Sequence, residues 1–243
     1  MLQEFYAIDL PGKMLYQKEF SVSVRKITPL EQKYILSLSQ KEQKTTKDYL
    51  DFIKGLVKID NPEMTFEELF WFDVEYILYR LRFVTYAKYP IKLVFRCSDC
   101  GEKIKQDLKM DELIINTPDD LPNLRTMIEL ENLGTTRIRN KCVGDDVIIE
   151  EFAKKHDIDI NSDIQMRLLL TDLLIISNGK TLDEMYEKAS SGEITASDIY
   201  EVEKWLGETI WGVKEEMKVV CPKCGKEETR GYSLSLEDFF SIV

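Results

Sequence analysis

A chain of 243 residues, 44% of them hydrophobic and 32% charged, has the composition of an ordinary globular protein and enough length for one sizeable core or two modest ones. Its balance is acidic, 33 Lys and Arg against 44 Asp and Glu for a net charge of −11, which argues against a protein built around phosphate backbones. The longest apolar run, Leu168 to Ser177, is interrupted by Thr171 and Asp172 and is too short to cross a bilayer, and the opening Met1-Leu2-Gln3-Glu4-Phe5 lacks the pattern of a signal peptide.

Residues 1–27 are predicted to be extended. Phe5-Tyr6-Ala7-Ile8 leads into the turn signal Leu10-Pro11-Gly12, and Phe20 to Ile27 alternates apolar with polar residues as a half-buried strand does. A helix follows to about Ser39, with Thr28 as N-cap, Pro29 at its first position and Glu31 completing a capping box. The polar stretch 40–44 reads as a loop. Thr46 starts a second helix that runs through Val57 before Asn61-Pro62 stops it. Thr65 with Glu68 opens the strongest helical pattern, an apolar stripe from Phe66 to Val84, before Pro90 ends the region. Its aromatic density suits a core helix better than a base-stacking platform, which also needs a basic groove.

The segments Ile91–Arg96 and Lys103–Leu108 read as strand, knuckle, strand, and Met217–Val220 with 227–236 repeats the arrangement. Between them, 117–122 is predicted as a loop. Met127–Leu130 and Thr136–Arg139 form a hairpin around 132–134, and Val147–Ala153 a short helix. Three capped helices then start at Ser162, Thr181 and Thr195, closed near Gly179, Gly192 and Gly212. The last apolar group, Leu236 to Phe240, is expected to dock rather than fray.

The chemistry is concentrated in the cysteines. Cys97-Ser98-Asp99-Cys100-Gly101 and Cys221-Pro222-Lys223-Cys224-Gly225 are two CxxCG turns, each preceded by strand-like apolar residues. Two such turns can present four thiolates in a tetrahedron, a closed structural zinc site, with iron as the alternative metal. Four sulfurs leave no open coordination position and so no metal-bound water. The predicted fold is therefore α+β, mostly helical lobes around a split four-Cys zinc ribbon, with short β-hairpins. Three parts are expected: an N-terminal strand-plus-helices lobe (1–89), the split ribbon (90–113 and 214–243), and an inserted hairpin and helical bundle (114–213).

Other chemistry fails by inventory. The single histidine, His156, lies in a polar helix end, and Cys142 has no CxxC partner and reads as a small buried side chain. No phosphate-cradling glycine loop or nucleophile elbow is present in the sequence. Asp119-Asp120 and Asp145-Asp146 could hold a cation, but each also sits where a turn or an N-cap favours Asp. The segment Arg137 to Lys141 is the nearest approach to a basic cluster, and its alternation reads as a strand's solvent face.

Taken in order, several stretches resemble one family. They are Leu10-Pro11-Gly12-Lys13-Met14-Leu15-Tyr16, the step from Val22 through Thr28-Pro29-Leu30-Glu31, the first CxxCG, the hairpin with its later helices, and the second CxxCG before Asp238-Phe239-Phe240. This order is similar to that of T4-type bacteriophage baseplate proteins, specifically the hub assembly subunits of contractile-tailed phages, over nearly the whole chain. The resemblance implies a non-enzymatic subunit or assembly factor of the central baseplate hub. Its partners would be hub and tail proteins in a larger oligomeric assembly, with no nucleic acid and no membrane. It would act in the host cytoplasm during assembly and in the virion's tail baseplate. From the residues alone, a zinc-ribbon nucleic-acid-binding or transcription-associated protein is the competing expectation, and an enzyme using an Asp-held cation a residual one.

Overall fold

The computed structural model describes residues 4–39, 46–120, 125–177 and 179–240. The loop expected over 40–44 and part of that over 117–122 lie outside the described residues. In chain order these form β1 (Phe5–Ile8), β2 (Val22–Arg25), α1 (Pro29–Ser39), α2 (Thr46–Lys54), β3 (Val57–Ile59), α3 (Trp71–Thr85), β4 (Ile91–Arg96), β5 (Lys103–Leu108) and β6 (Ile114–Asn116). There follow β7 (Met127–Leu130), β8 (Gly134–Arg137), α4 (Gly144–Lys155), α5 (Ile164–Ile175), α6 (Leu182–Ser191), α7 (Ala196–Glu208), β9 (Gly212–Lys214), β10 (Glu216–Val220), β11 (Glu227–Gly231) and α8 (Leu236–Phe240). Helices and short antiparallel strand pairs make the class α+β, as the sequence implies. The chain forms two compact units, one of Met1–Met64, Phe72–Thr117 and Trp211–Val243, the other of Thr65–Trp71 and Pro118–Ile210.

In the first unit, β2 is the centre of a three-stranded antiparallel sheet, pairing Ile8 with Val22 on one side and Val24 with Val57 on the other. Val22 and Val24 are its buried alternate residues. Thr28 caps α1 as its spacing predicts: its hydroxyl accepts from the Glu31 N–H at 3.3 Å, and Glu31 accepts from the Thr28 N–H at 2.9 Å. The second helix stops at Lys54 instead of running through Val57. Gly55 follows it, and Val57-Lys58-Ile59 can pair as the outer strand of the sheet. The α3 helix buries Val74, Ile77, Tyr79 and Leu81 in the core.

The start of the chain is fastened to this helix. The Gly12 N–H donates to Asp73 Oδ1 at 2.8 Å and the Tyr16 hydroxyl to Oδ2 at 2.7 Å. A Cβ at Gly12 would lie 2.6 Å from Trp211 Nε1 and 2.7 Å from Asp73 Oδ2, so the turn requires glycine for space. Thus Gly12 and Tyr16, features of the opening motif, meet one buried carboxylate.

The end of the chain docks on the same core. Phe239 and Phe240 are buried, the first edge-on to Tyr79 at 4.8 Å and the second edge-on to Phe52 at 5.8 Å. The last carbonyls of α8 have no helical partners. Three side chains supply donors: Arg82 to Phe239 O at 3.3 Å, and Gln32 and Tyr86 to Phe240 O at 2.8 and 3.3 Å.

In the second unit, α5 is the central helix, with Leu170 and Leu173 fully buried among Ile149, Met185, Val202 and Trp205. The β7–β8 hairpin pairs Met127 with Arg137 and Leu130 with Gly134. Thr181 and Thr195 cap α6 and α7 through the predicted boxes, whereas α5 is capped by Asp163, accepting from the Met166 N–H at 2.9 Å, and not by Ser162. Thr65 does form its box with Glu68, but around a single 3-10 turn, Phe66–Glu68. Leu69 is extended and Phe70 bridges to Cys142, so the long helix begins only at Trp71. The α7 helix ends at Glu208; Gly212, at φ 92°, opens β9 instead.

Two outcomes follow from these contacts. Phe240→Ala is expected to lower stability by about 3–5 kcal/mol in urea denaturation; a loss of only a few tenths would show the tail to be peripheral. The Arg25 guanidinium, with the Thr28 N–H, holds the Glu31 carboxyl down at about 2. Its folded value lies below the ordinary one, so its contribution is present above pH ~4.3 and is lost as pH falls towards 2. Glu31→Gln is therefore expected to lower stability at neutral pH and to flatten the acid decline; parallel stability-versus-pH curves for the two proteins would contradict this.

Candidate metal centre

Two hairpins of the first unit build the centre. The β4–β5 hairpin pairs Ile91 with Leu108 through Arg96 with Lys103, and β10–β11 pairs Glu216 with Gly231 through Val220 with Glu227. At each tip the chain makes the same turn. The Cys97 N–H donates to Glu102 O at 2.9 Å and the Gly101 N–H to Cys97 O at 3.0 Å. The Cys221 N–H donates to Lys226 O at 2.9 Å and the Gly225 N–H to Cys221 O at 3.0 Å. Gly101 and Gly225 have φ of 70° and 75°, and a Cβ at either would meet nothing within 4 Å. Glycine is thus required there by its access to the left-handed region, not by crowding.

The two tips bring together all four cysteines of the CxxC pairs, although Cys97 and Cys224 are 127 positions apart. Their four sulfurs lie within 4.8 Å of one another. Cys97–Cys224, Cys100–Cys221 and Cys100–Cys224 are each separated by 3.6 Å. A regular tetrahedron with metal–sulfur bonds of ~2.3 Å has edges of about 3.8 Å, so the spacing fits one tetrahedral ion. It is far longer than a disulfide bond of ~2.05 Å, and all the cysteines are free. Cys97 and Cys221 are buried, while Cys100 and Cys224 face solvent. Backbone N–H groups of Cys224 and Lys223 stabilise the Cys221 thiolate and bring this thiol down to about 7. Against the pull of the Lys226 N–H, the neighbouring thiols push Cys224 the other way, up to about 12, so it is the donor set and its spacing that suit a thiolate-bound cation.

Side chains around the sulfurs tie one tip to the other. Ser98 donates from its hydroxyl to Glu228 Oε2 at 2.7 Å, and Lys226 reaches Asp99 Oδ1 and the Ser98 hydroxyl, both at 2.8 Å. Arg230 donates to Arg96 O at 2.8 Å. No spacing rule in the sequence points to these partners, because each pair joins residues more than a hundred positions apart.

The other candidates are used internally. Asp145 receives both arms of the Arg139 guanidinium at 2.6 and 2.8 Å and the Cys142 N–H at 2.9 Å. Asp146 Oδ1 is 2.8 Å from both Lys141 Nζ and Arg167 Nη2. Two cations of the Arg137–Lys141 segment are therefore spent on neighbouring carboxylates, and this segment is not a free basic face. Asp119 and Asp120 lie exposed in a 3-10 turn. The Cys142 thiol is pushed up to about 11, first by burial and then by Asp145, which keeps it protonated and unreactive at neutral pH. His156 caps α4, stacks on Phe152 at 4.2 Å and places Nε2 3.0 Å from Asp183 Oδ1.

No helix among the described residues is long and apolar enough to cross a membrane. Comparison with curated proteins and with solved structures found no match. A family model described as "T4 bacteriophage base plate protein" matches residues 11–241, from the turn held by Asp73 to the docked end of the chain, with both knuckles inside the match. The chain therefore belongs to the T4 bacteriophage base plate protein family.

Proposed function

We propose that the protein is a non-enzymatic structural or assembly subunit of the central hub of a contractile tail baseplate, fastened by a structural zinc ion on Cys97, Cys100, Cys221 and Cys224. The observation that carries the tail role is the family match over residues 11–241. The metal assignment rests on the four sulfurs within 4.8 Å. A four-thiolate zinc supplies cross-linking and charge neutralisation and offers no open position for a substrate. In this reading residues 1–89 and the inserted part, 114–213, present binding surfaces, and the ribbon of 90–113 and 214–243 joins the chain at their base. The protein would assemble in the host cytoplasm and reside in the tail baseplate.

The nucleic-acid alternative gains nothing from the charge distribution. Arg139 and Lys141 are neutralised by Asp145 and Asp146, and the net charge is −11.

Metal analysis of the purified chain is expected to give one zinc per molecule. Cys97→Ser or Cys224→Ser should remove it and lower the melting temperature by several degrees, and a chelator should do the same to the wild type. Preparations with neither zinc nor iron would end the four-thiolate assignment. Co-expression with hub and tail-tube proteins is expected to shift the chain into a larger complex in sedimentation; a chain that stays alone with every tail protein would refute the hub reading.

A further inference from the structure

The second unit holds four aspartates that are more than nine-tenths buried: Asp145 at 4% exposure, Asp146 at 1%, Asp172 at 5% and Asp198 at 0%. Three are matched by donors. Asp145 and Asp146 have the cations described above. Asp198 accepts from the Asn132 N–H and side-chain amide and from the Thr195 N–H and hydroxyl, at 2.9 to 3.2 Å. These donors outweigh burial and hold its carboxyl below the usual value.

Asp172 on α5 is the exception. Among the described residues its carboxylate has no hydrogen-bond donor and no cation beside it, and only its backbone carbonyl accepts, from the Ile176 N–H at 3.1 Å. Burial, and then the like charge of Glu203 on α7, push its carboxyl up to about 7. The cation nearest in sequence, Arg167, is engaged by Asp146 at 2.8 Å. A carboxylate buried without donors is costly to the chain that carries it.

Exposed apolar residues share its helix ridge and the neighbouring helix. Ile164 and Leu168, 66% and 54% exposed, precede it at i, i+4 spacing on one ridge of α5. Tyr200, 61% exposed, lies one turn before Glu203 on α7, which packs against α5. Exposed apolar residues beside a carboxylate that lacks a counter-ion are complementary to a cation with apolar neighbours.

We propose that the Ile164–Leu168–Asp172 ridge of α5, with Tyr200 and Glu203 of α7, is a docking surface for another tail protein. That protein would insert one arginine or lysine against Asp172 and Glu203 and lay apolar side chains over Ile164, Leu168 and Tyr200. This rests on the reading of the chain as a structural tail subunit.

A photo-crosslinking residue at Leu168, in the full chain co-expressed with the phage's tail proteins, tests the surface. The expected product joins position 168 to a segment of one tail protein that carries an arginine or lysine flanked by apolar residues. Asp172→Lys should lower its yield at least about tenfold, and an acidic residue in place of that partner cation should restore it. In the isolated chain, Asp172→Asn should raise the melting temperature, because it removes a buried unmatched charge. A fall in melting temperature, insensitivity to Asp172→Lys, or cross-linking to a second copy or to a segment without a cation would overturn the proposal. If the chain enters a tail complex but position 168 captures nothing, only the docking surface is refuted; if it enters none, the hub reading falls as well.

Discussion

Four sulfurs within 4.8 Å are the contact on which the chain's organisation depends. Each CxxCG turn is a local structure that any hairpin could make, held by two backbone hydrogen bonds and a left-handed glycine. Their meeting is not local. It closes a loop that contains nearly all of the second unit. Closure entropy grows only logarithmically, about 0.6 kcal/mol for each doubling of loop length, so a large folded segment between the knuckles costs little more than a short one. Thiolate–metal bonds at such a site would supply far more than this, since structural zinc contributes its binding energy to folding.

The cysteine cluster is not the sole closure. Inside the first unit β6 and β9 pair Asn116 with Gly212, joining the strands that flank the departure and return of the chain. The Ser98–Glu228 and Lys226–Asp99 contacts link the two tips directly. The first and last segments are fastened in the same unit by different means, Gly12 and Tyr16 at Asp73, and Phe239 and Phe240 by ring contacts with Tyr79 and Phe52 and by carbonyls that accept from Arg82, Gln32 and Tyr86. One hydrophobic core thus receives both ends of the sequence, and the α3 helix carries residues for each attachment.

Charge is managed by pairing. An acidic chain that buries several aspartates must supply donors to each or accept a penalty. Arg139, Lys141 and Arg167 are committed to Asp145 and Asp146, which removes the basic character that the Arg137–Lys141 segment shows on paper. Against this matching, Asp172 is the buried aspartate of its unit whose carboxylate has no donor among the described residues.

Helix starts were legible wherever a side-chain cap faces its own third residue, as at Thr28, Thr181 and Thr195, because that chemistry is complete within four positions. The CxxCG turns were legible for the same reason. The same local rule misled at Thr65, where a true capping box surrounds only a 3-10 turn, and at Val57, which leaves helix for strand; a bridge to Cys142 and a pairing with Val24 decide those positions. The sequence by itself determined the α+β class, the two CxxCG knuckles and the docked tail, since residue type and short spacing carry them. Only the tertiary structure decided that Gly12 must lack a side chain, that β6 meets β9, that the basic segment is neutralised and that the Asp172 carboxylate has no donor among the described residues. Those depend on which residues meet across tens to hundreds of positions, and pairings of that reach leave no periodic trace in a single chain.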